Sequence, residues 1–335
     1  IQVSVESGKT ATITYTLGNG TNGGLATNYS LANTSATGDI TAKALSVGTA
    51  SIASKTYDGT STTGTVTAGT LSGFVGTETV VVATATGAFS NAAVGTGKTA
   101  TITYTLGNGT NGGVSLNYSL ATTSATGDIT AKSLTITGLT GANKTYDRTT
   151  SASATGTAAL SGVLTADNGN VTLAGTGTFS FATATVGNGK TISCTGYSLS
   201  GTASGNYSLT QPSLSGNITT AALTVSGISG SNKTYDGTTT ASVSGTAALS
   251  GVLSGDAVSL SGTPAFSFAS ASVGTAKPIT ASGYTLSGAD NGNYSLTQPA
   301  GLTADITAAS LTITGLSATD KYYDGTTSVS VSGTP

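Results

Sequence analysis

The sequence predicts an all-β chain: a tandem array of immunoglobulin-like antiparallel β-sandwich domains with a period of about 89 residues. Three observations support this prediction. One hexapeptide recurs four times, apolar and hydroxyl side chains alternate along most segments, and Gly-, Asn- and Asp-rich turns separate those segments. No segment has the apolar spacing of an amphipathic helix, so we expect strands throughout.

The hexapeptide Lys-Thr-Tyr-Asp-Gly-Thr begins at Lys55 and returns at Lys144, Lys233 and Lys321, in steps of 89, 89 and 88 residues. This period exceeds the 20–50 residues of ordinary solenoid repeats and suits a small domain with its own core. We therefore expect separate domains joined like beads on a string. The predicted structural motif comprises the following residues: Lys55, Tyr57, Asp58, Gly59, Lys144, Tyr146, Asp147, Lys233, Tyr235, Asp236, Gly237, Tyr323 and Asp324.

Two further landmarks follow the same period. The tetrapeptide Asn-Tyr-Ser-Leu begins at Asn28, Asn117, Asn206 and Asn293. A triplet of Asp or Asn followed by Ile-Thr begins at Asp39, Asp128, Asn217 and Asp305. About seven or eight short strands fit into one period, which is the strand count of an immunoglobulin-like sandwich.

These landmarks place whole domains at 43–131 (repeat 1), 132–220 (repeat 2) and 221–308 (repeat 3). Residues 1–42 hold only the late strands of a domain, and residues 309–335 only the early ones. The junctions contain no Gly or Pro, so we expect a stiff rod. The partial ends together lack about 20 residues of a whole repeat. They indicate a piece of a longer chain or, alternatively, neighbours that complete each other by strand exchange.

Composition argues against several function classes. Charged residues make up 7% of the chain and the net charge is -2, so no basic patch is expected to bind nucleic acid. No apolar run is long enough to span a membrane. The chain has no His, its two glutamates (Glu6 and Glu78) do not recur as glutamates, and its single Cys194 cannot form an internal disulfide. We expect neither an enzyme nor a cofactor.

The motif residues suggest four possible sites. The motif aspartates either accept hydrogen bonds within their own turn or bind calcium. The tyrosines either fill the core of the sandwich or stack on carbohydrate. Threonine ladders such as Thr10–Thr16 either form a wet strand face or contact ice or polysaccharide. Early-strand lysines facing late-strand Asp or Asn form isopeptide bonds or salt bridges, or the lysines are solvated and cap a carbonyl. These candidates are Lys55, Asp128, Lys144, Asn217, Lys233 and Asp305.

The hexapeptide, with Asn-Tyr-Ser-Leu and the Ile-Thr triplet behind it, resembles the YDG-type repeats of large bacterial surface proteins. These repeats are similar to the mostly-bacterial immunoglobulin-like modules of secreted adhesins of the filamentous-haemagglutinin kind. The second copy departs from the pattern, because Arg148 replaces glycine. The resemblance implies an extracellular rod, stalk or filament for adhesion or matrix building. It also implies self-association into fibres, or binding to host or surface polysaccharide through regions outside these residues.

Overall fold

The computed structural model describes residues 3–335, and they form an all-β protein. The described residues contain 28 strands and no α-helix, and the shared landmarks recur about every 89 residues, which confirms the predicted fold class. Five single 3₁₀ turns interrupt the strands, and four of them end at the Asn of an Asn-Tyr-Ser-Leu segment. The turns span Ala26–Asn28, Ser115–Asn117, Thr165–Asp167, Ser204–Asn206 and Asn291–Asn293.

The strands follow the repeat order. The N-terminal partial repeat has β1 (Glu6–Ile13) and β2 (Thr34–Ile40). Repeat 1 has β3 (Lys43–Val47), β4 (Ser51–Ile52), β5 (Lys55–Thr56), β6 (Val66–Thr67), β7 (Leu71–Ser72), β8 (Val80–Phe89), β9 (Gly95–Asn108), β10 (Tyr118–Leu120) and β11 (Thr123–Thr130). Repeat 2 has β12 (Lys132–Gly141), β13 (Lys144–Thr145), β14 (Ser151–Ala152), β15 (Ala154–Ser161), β16 (Thr172–Phe181), β17 (Gly187–Ser200), β18 (Tyr207–Thr210) and β19 (Ser213–Thr219).

Repeat 3 and the C-terminal partial repeat complete the set. Repeat 3 has β20 (Ala221–Ser231), β21 (Lys233–Thr234), β22 (Ser242–Ser250), β23 (Ser259–Phe268), β24 (Gly274–Ser287), β25 (Tyr294–Thr297) and β26 (Thr303–Thr307). The last partial repeat has β27 (Ser317–Ala318) and β28 (Val331–Ser332).

Each whole repeat has two main sheets of the same design. In repeat 1 the strand orders are β10-β3-β7 and β5-β11-β9-β8, and repeat 3 has the equivalent sheets β22-β20-β25 and β21-β26-β24-β23. The antiparallel expectation is wrong in one respect. The first strand of each repeat pairs in parallel with a late strand, as β3 does with β10, and the motif strand β5 pairs in parallel with β11. The long segment between these partners supplies the crossover that parallel pairing requires.

The chain forms two compact units. The first comprises residues 1–139, 156–177 and 195–212, and it holds two clusters of buried side chains. One cluster lies within repeat 1 and joins its two sheets through Leu45, Val80 and Tyr118. The other combines Phe89, Ala100 and Ile129 of repeat 1 with Leu134, Val171 and Tyr207 of repeat 2. The first two repeats therefore share a core.

The second unit comprises residues 140–155, 178–194 and 213–335 and follows the same plan. One of its clusters combines Phe181, Ile192 and Ile218 of repeat 2 with Leu223 and Tyr294 of repeat 3. The expectation of beads on a string is therefore wrong at both junctions. Large apolar side chains are scarce in this Gly-, Ser- and Thr-rich chain, and a short domain buries little surface by itself. Sharing residues across a junction enlarges the core.

Candidate interaction site at the repeat junctions

The Tyr-Asp-Gly turn is held by its own aspartate. The Oδ1 atom of Asp58 accepts hydrogen bonds from the backbone N–H of Thr60 at 2.9 Å and from its hydroxyl at 2.8 Å. Gly59 has a φ of +81°, a conformation that glycine adopts without steric cost. The same bonds recur at Asp147, Asp236 and Asp324. These aspartates therefore act within their turns, as the hydrogen-bonding interpretation expects.

The motif lysine stabilises the same turn through an ion pair and hydrogen bonds of its ammonium group. The Nζ atom of Lys55 lies 2.7 Å from Asp58 Oδ1 and donates to the carbonyls of Thr60 and Thr62 at 3.1 and 2.8 Å. Only 9% of the Lys55 side chain is exposed, so these oxygens replace water around the ammonium group. The hydrogen bond from Lys55 is the largest of the effects that lower the pKa of Asp58 to about 2. Lys144, Lys233 and Lys321 form equivalent ion pairs.

The lysines and the late-strand Asp or Asn residues are not brought together. Lys55 lies opposite Ile129 in the parallel β5–β11 pair, so Asp128 is one position out of register. Neighbouring strand positions face opposite sides of a sheet. Asp128 Oδ1 instead accepts a hydrogen bond from Gly97 N at 2.8 Å. Lys144 with Asn217 and Lys233 with Asp305 repeat this arrangement, since Asn217 accepts from Gly189 N and Asp305 from Ala276 N.

The motif tyrosine of repeat 1 is buried against the following repeat. The backbone N–H of Tyr57 donates to Thr130 O at 2.8 Å, which fixes the ring at the edge of repeat 1. The ring is 6% exposed and packs edge-to-face on Tyr207 of repeat 2, with 5.4 Å between the ring centroids. Its hydroxyl donates to Asp167 Oδ2 at 2.9 Å. The ring is buried among side chains of both repeats, because its cluster contains Phe89 and Ile129 of repeat 1 as well as Tyr207 of repeat 2.

The carboxylate of Asp167 joins two tyrosines. Its Oδ2 atom accepts the hydroxyl of Tyr207 at 2.6 Å as well as that of Tyr57. The Tyr207 hydroxyl in turn accepts from Leu164 N at 3.2 Å, so it is both donor and acceptor. Burial, followed by the hydrogen bond to Asp167, raises the pKa of Tyr207 to about 12. We call this arrangement of two tyrosines on one carboxylate the junction cluster.

An asparagine adds a backbone contact beside the junction cluster. Asn206, which precedes Tyr207, accepts a hydrogen bond from the backbone N–H of Val94 in repeat 1 at 3.0 Å. In the second unit Asn293 accepts equally from Val186 N at 3.0 Å. Every residue of the Asn-Tyr pair therefore contacts the preceding repeat, which explains why this landmark follows the period of the chain.

The second unit contains a second junction cluster. Tyr146 of repeat 2 and Tyr294 of repeat 3 both donate to Asp256 Oδ2, at 3.0 and 2.6 Å, and their ring centroids are 5.5 Å apart. The Tyr294 hydroxyl accepts from Leu253 N at 3.1 Å. Burial, then the hydrogen bond to Asp256, raises the pKa of Tyr146 to about 12.

Arg148 adds a salt bridge to the second junction cluster. Its Nε atom lies 2.6 Å from Asp256 Oδ1, and its Nη1 atom donates to Ser254 O. The Asp256 side chain is only 3% exposed, so the guanidinium meets a carboxylate that is sheltered from water. Arg148 has a φ of +66°, a left-handed conformation that costs a non-glycine residue about 1–2 kcal/mol. The departure from glycine therefore exchanges local strain for a contact with repeat 3.

A third carboxylate occupies the equivalent position in repeat 1. Glu78 Oε2 accepts the hydroxyl of Tyr118 at 2.6 Å, and Val75 N donates to that hydroxyl at 3.1 Å. Asn117 accepts from the backbone N–H of Val5 at 3.0 Å. The carboxylates Glu78, Asp167 and Asp256 stand 89 residues apart, yet sequence reasoning missed them because it compared identical letters. Comparing side-chain chemistry at the repeat spacing would have identified the set.

The remaining motif tyrosines are exposed. Tyr235 of repeat 3 is 47% exposed, and Tyr323 of the C-terminal partial repeat is 98% exposed. The turn around Tyr323 is nevertheless formed, since Lys321 Nζ lies 2.7 Å from Asp324 Oδ1 and Thr326 N donates to the same oxygen at 2.9 Å. The turn therefore forms without a buried tyrosine.

Other sequence candidates contribute little to this site. Cys194 is buried, and burial raises the pKa of its thiol. Within residues 3–335 no three His, Cys, Asp or Glu side chains lie close enough together to hold a metal ion. None of the helical segments in the same residues has the length and apolarity to cross a membrane.

Comparison with known proteins agrees with this repeat structure. A sequence profile of the YDG domain matches residues 41–125, 130–214 and 219–301. These ranges fall on repeats 1, 2 and 3, although the predicted boundaries stay a prediction. No curated protein and no solved structure matched the chain. The profile covers more than half of the sequence in three consecutive copies, and the chain therefore belongs to the YDG domain family, as its Lys-Thr-Tyr-Asp-Gly-Thr motif indicates.

Proposed function

We propose that this chain is a non-enzymatic extracellular stalk, in which tandem YDG domains hold an adhesive or matrix-building region at a distance from a cell surface. The observation that carries the proposal is the junction cluster. A carboxylate of one repeat holds a tyrosine of the preceding repeat at 2.9 Å in the first unit and 3.0 Å in the second. The motif tyrosines Tyr57 and Tyr146 thus serve the connection between repeats.

This connection suits a structure that transmits force. To separate two repeats, a pulling force must expose the tyrosine ring and break its hydrogen bond to the carboxylate at the same time. A hydrogen bond to a charged group contributes about 1.5–3 kcal/mol, and an edge-to-face aromatic pair about 0.5–1.5 kcal/mol. Parallel pairs such as β3–β10 and β5–β11 bind the early segments of a repeat to its late strands. The chain then resists extension at the junctions as well as inside the repeats.

The alternative of direct carbohydrate binding has less support. Stacking on a sugar requires an exposed aromatic face, and the rings of Tyr57 and Tyr146 are 6% and 7% exposed. The Thr10–Thr16 segment is exposed, but its equivalent Thr99–Thr105 lies in β9 of a four-stranded sheet, and the twist of a sheet opposes a flat binding surface.

Two measurements test the stalk. In single-molecule stretching of the 335-residue chain, we expect repeats 1 and 2 to resist force and to unfold in coupled events. Extension without a force peak would contradict the mechanical role. On intact cells of the source organism, an added protease should release peptides of these repeats, and peptides appearing only after lysis would contradict the extracellular location.

A further inference from the structure

Each junction cluster holds two phenol rings together at the ends that carry their hydroxyls. Tyr57 and Tyr207 donate to the same Oδ2 atom of Asp167, at 2.9 and 2.6 Å, and their ring centroids are 5.4 Å apart. In the second unit the ring centroids of Tyr146 and Tyr294 are 5.5 Å apart. An oxidised phenol reacts at the ring carbons next to its oxygen, and the shared acceptor holds these carbons of the two rings near each other.

The rings can reorient without leaving the carboxylate. In both pairs they stand edge-to-face, with 79° between the ring planes. Rotation about the Cβ–Cγ bond changes this angle, yet the hydroxyl oxygen lies on the rotation axis and keeps its position. This torsion has a broad, two-fold preference in tyrosine. One ring can therefore turn its face toward the other while both hydrogen bonds are retained.

The carboxylate supplies the proton acceptor that the oxidation of a phenol requires. Burial, followed by the hydrogen bond to Asp167, raises the pKa of Tyr207 to about 12, so the phenol is protonated at neutral pH. Removing an electron from it makes the hydroxyl proton strongly acidic. Tyr207 is 6% exposed, and a charge left on its ring would be poorly solvated. Transfer of the proton to Asp167, whose Oδ2 atom lies 2.6 Å from the hydroxyl, avoids that charge.

We propose that the junction clusters are oxidative cross-linking sites, at which a peroxide-driven one-electron oxidant, such as the haem of a peroxidase, joins Tyr57 to Tyr207 and Tyr146 to Tyr294. Each phenol gives one electron to the oxidant and passes its hydroxyl proton through the carboxylate to solvent. The two radicals pair in a carbon–carbon bond between ring positions next to the oxygens. The hydrogen on each joined carbon then moves to the neighbouring oxygen, which restores both phenols. The net reaction converts two tyrosines and one hydrogen peroxide into one dityrosine and two water molecules.

Within residues 3–335 the close pairs of tyrosine rings lie at the junctions. The other close aromatic pairs are Phe74–Tyr118 and Phe266–Tyr284, and each contains a phenylalanine, which has no hydroxyl proton to lose. Coupling of the tyrosine pairs would therefore fix one repeat to the next by a covalent bond. The inference goes beyond the proposed stalk and does not depend on it.

Oxidation of the purified 335-residue chain with a haem peroxidase and hydrogen peroxide tests the inference. After digestion with trypsin, we expect residues 56–98, which contain Tyr57, to be joined to residues 191–233, which contain Tyr207, with the loss of two hydrogen atoms. Tyr57→Phe keeps the ring and removes the phenol, so it should abolish this product and leave the product of the second junction cluster. Tyr235→Phe is the matched control at the same motif position, and both products should remain because Tyr235 belongs to neither cluster.

Two further measurements examine the carboxylate and the bond itself. Asp167→Asn still accepts a hydrogen bond but is a far weaker base. It should slow the first product about 100-fold relative to the second, whose carboxylate is unchanged, because a positioned base contributes at least that factor. Equal rates would overturn the role given to Asp167. In single-molecule stretching, the oxidised chain should extend less than the unoxidised one, since the cross-links withhold the segments between the joined tyrosines.

Other results overturn the inference as a whole. Peroxide is added until Tyr322 and Tyr323, each 98% exposed, are oxidised, which shows that the oxidant has acted. If neither junction product has formed by then, or if Tyr57→Phe still gives the first product, the clusters are not cross-linking sites. In a mixture of ¹⁵N-labelled and unlabelled chains, joined peptides of mixed label would show that the bond forms between copies, which also overturns the inference. The stretching test of the stalk uses the unoxidised chain, so failure of cross-linking leaves that proposal standing.

Discussion

Replacing Tyr57 by alanine tests whether two repeats share one core. The substitution removes a ring that is 6% exposed, its edge-to-face contact with Tyr207 and its hydrogen bond to Asp167. Truncating a buried aromatic side chain to alanine costs about 3–5 kcal/mol. Tyr235→Ala is the matched control in the same hexapeptide, and because Tyr235 is 47% exposed we expect it to cost about 1 kcal/mol.

Hydrogen exchange with mass spectrometry, read peptide by peptide on the whole chain, separates the possibilities. With a shared core, Tyr57→Ala should speed exchange in the late strands of repeat 1 and also in residues 156–177 of repeat 2, where Leu164 N donates to Tyr207. Tyr235→Ala should leave residues 156–177 unchanged. Faster exchange confined to repeat 1 after Tyr57→Ala would refute the shared core and restore the picture of independent domains.

Three further outcomes follow from the same contacts. The pKa of Asp58 is lowered from 3.8 to about 2, so its charged form stabilises the turn above pH 3.8 and this stabilisation is lost as the pH falls to about 2. A carboxyl ¹³C shift of Asp58 that titrates near pH 4 would contradict the lowered pKa. Tyr146 and Tyr207 have pKa values raised from 10.0 to about 12, so both junctions should lose stability between pH 10 and 12. Ultraviolet titration should show these tyrosines ionising last. Replacing both by Phe should reduce the loss of stability over this pH range. Arg148→Gly relieves strain of about 1 kcal/mol but removes a charge-assisted bond to Asp256, so the free energy of unfolding should fall by about 1 kcal/mol. Urea unfolding should therefore show a lower midpoint, and an unchanged or higher midpoint would show that the salt bridge adds no stability.

The sequence predicted those features that depend on local pattern. Period-two alternation predicted the strands, and the 89-residue spacing predicted the repeats, because both are set by neighbours along the chain. The turn role of Asp58 was equally local, since its hydrogen-bond donors lie two residues away in Thr60.

The partners of those residues were harder to predict, because they depend on register and on contacts between repeats. The lysine and Asp128 were expected to meet, yet Lys55 lies opposite Ile129, and a shift of one residue sends a side chain to the other face of the sheet. The tyrosine was expected in the core, where it lies, but nothing local indicates that its hydroxyl reaches Asp167, 110 residues later in the next repeat. Parallel pairing of the first strand was missed for the same reason.

The distribution of the junction cluster over two repeats has a consequence for how such genes change. Repeat 2 carries both halves of a junction: Tyr146 contacts Asp256 of the repeat that follows, and Asp167 accepts Tyr57 of the repeat that precedes. Recombination that duplicates or deletes a whole number of repeats therefore leaves every tyrosine opposite a carboxylate. The array can grow or shrink by single recombination events without a compensating mutation, while one substitution such as Arg148 adjusts an individual junction.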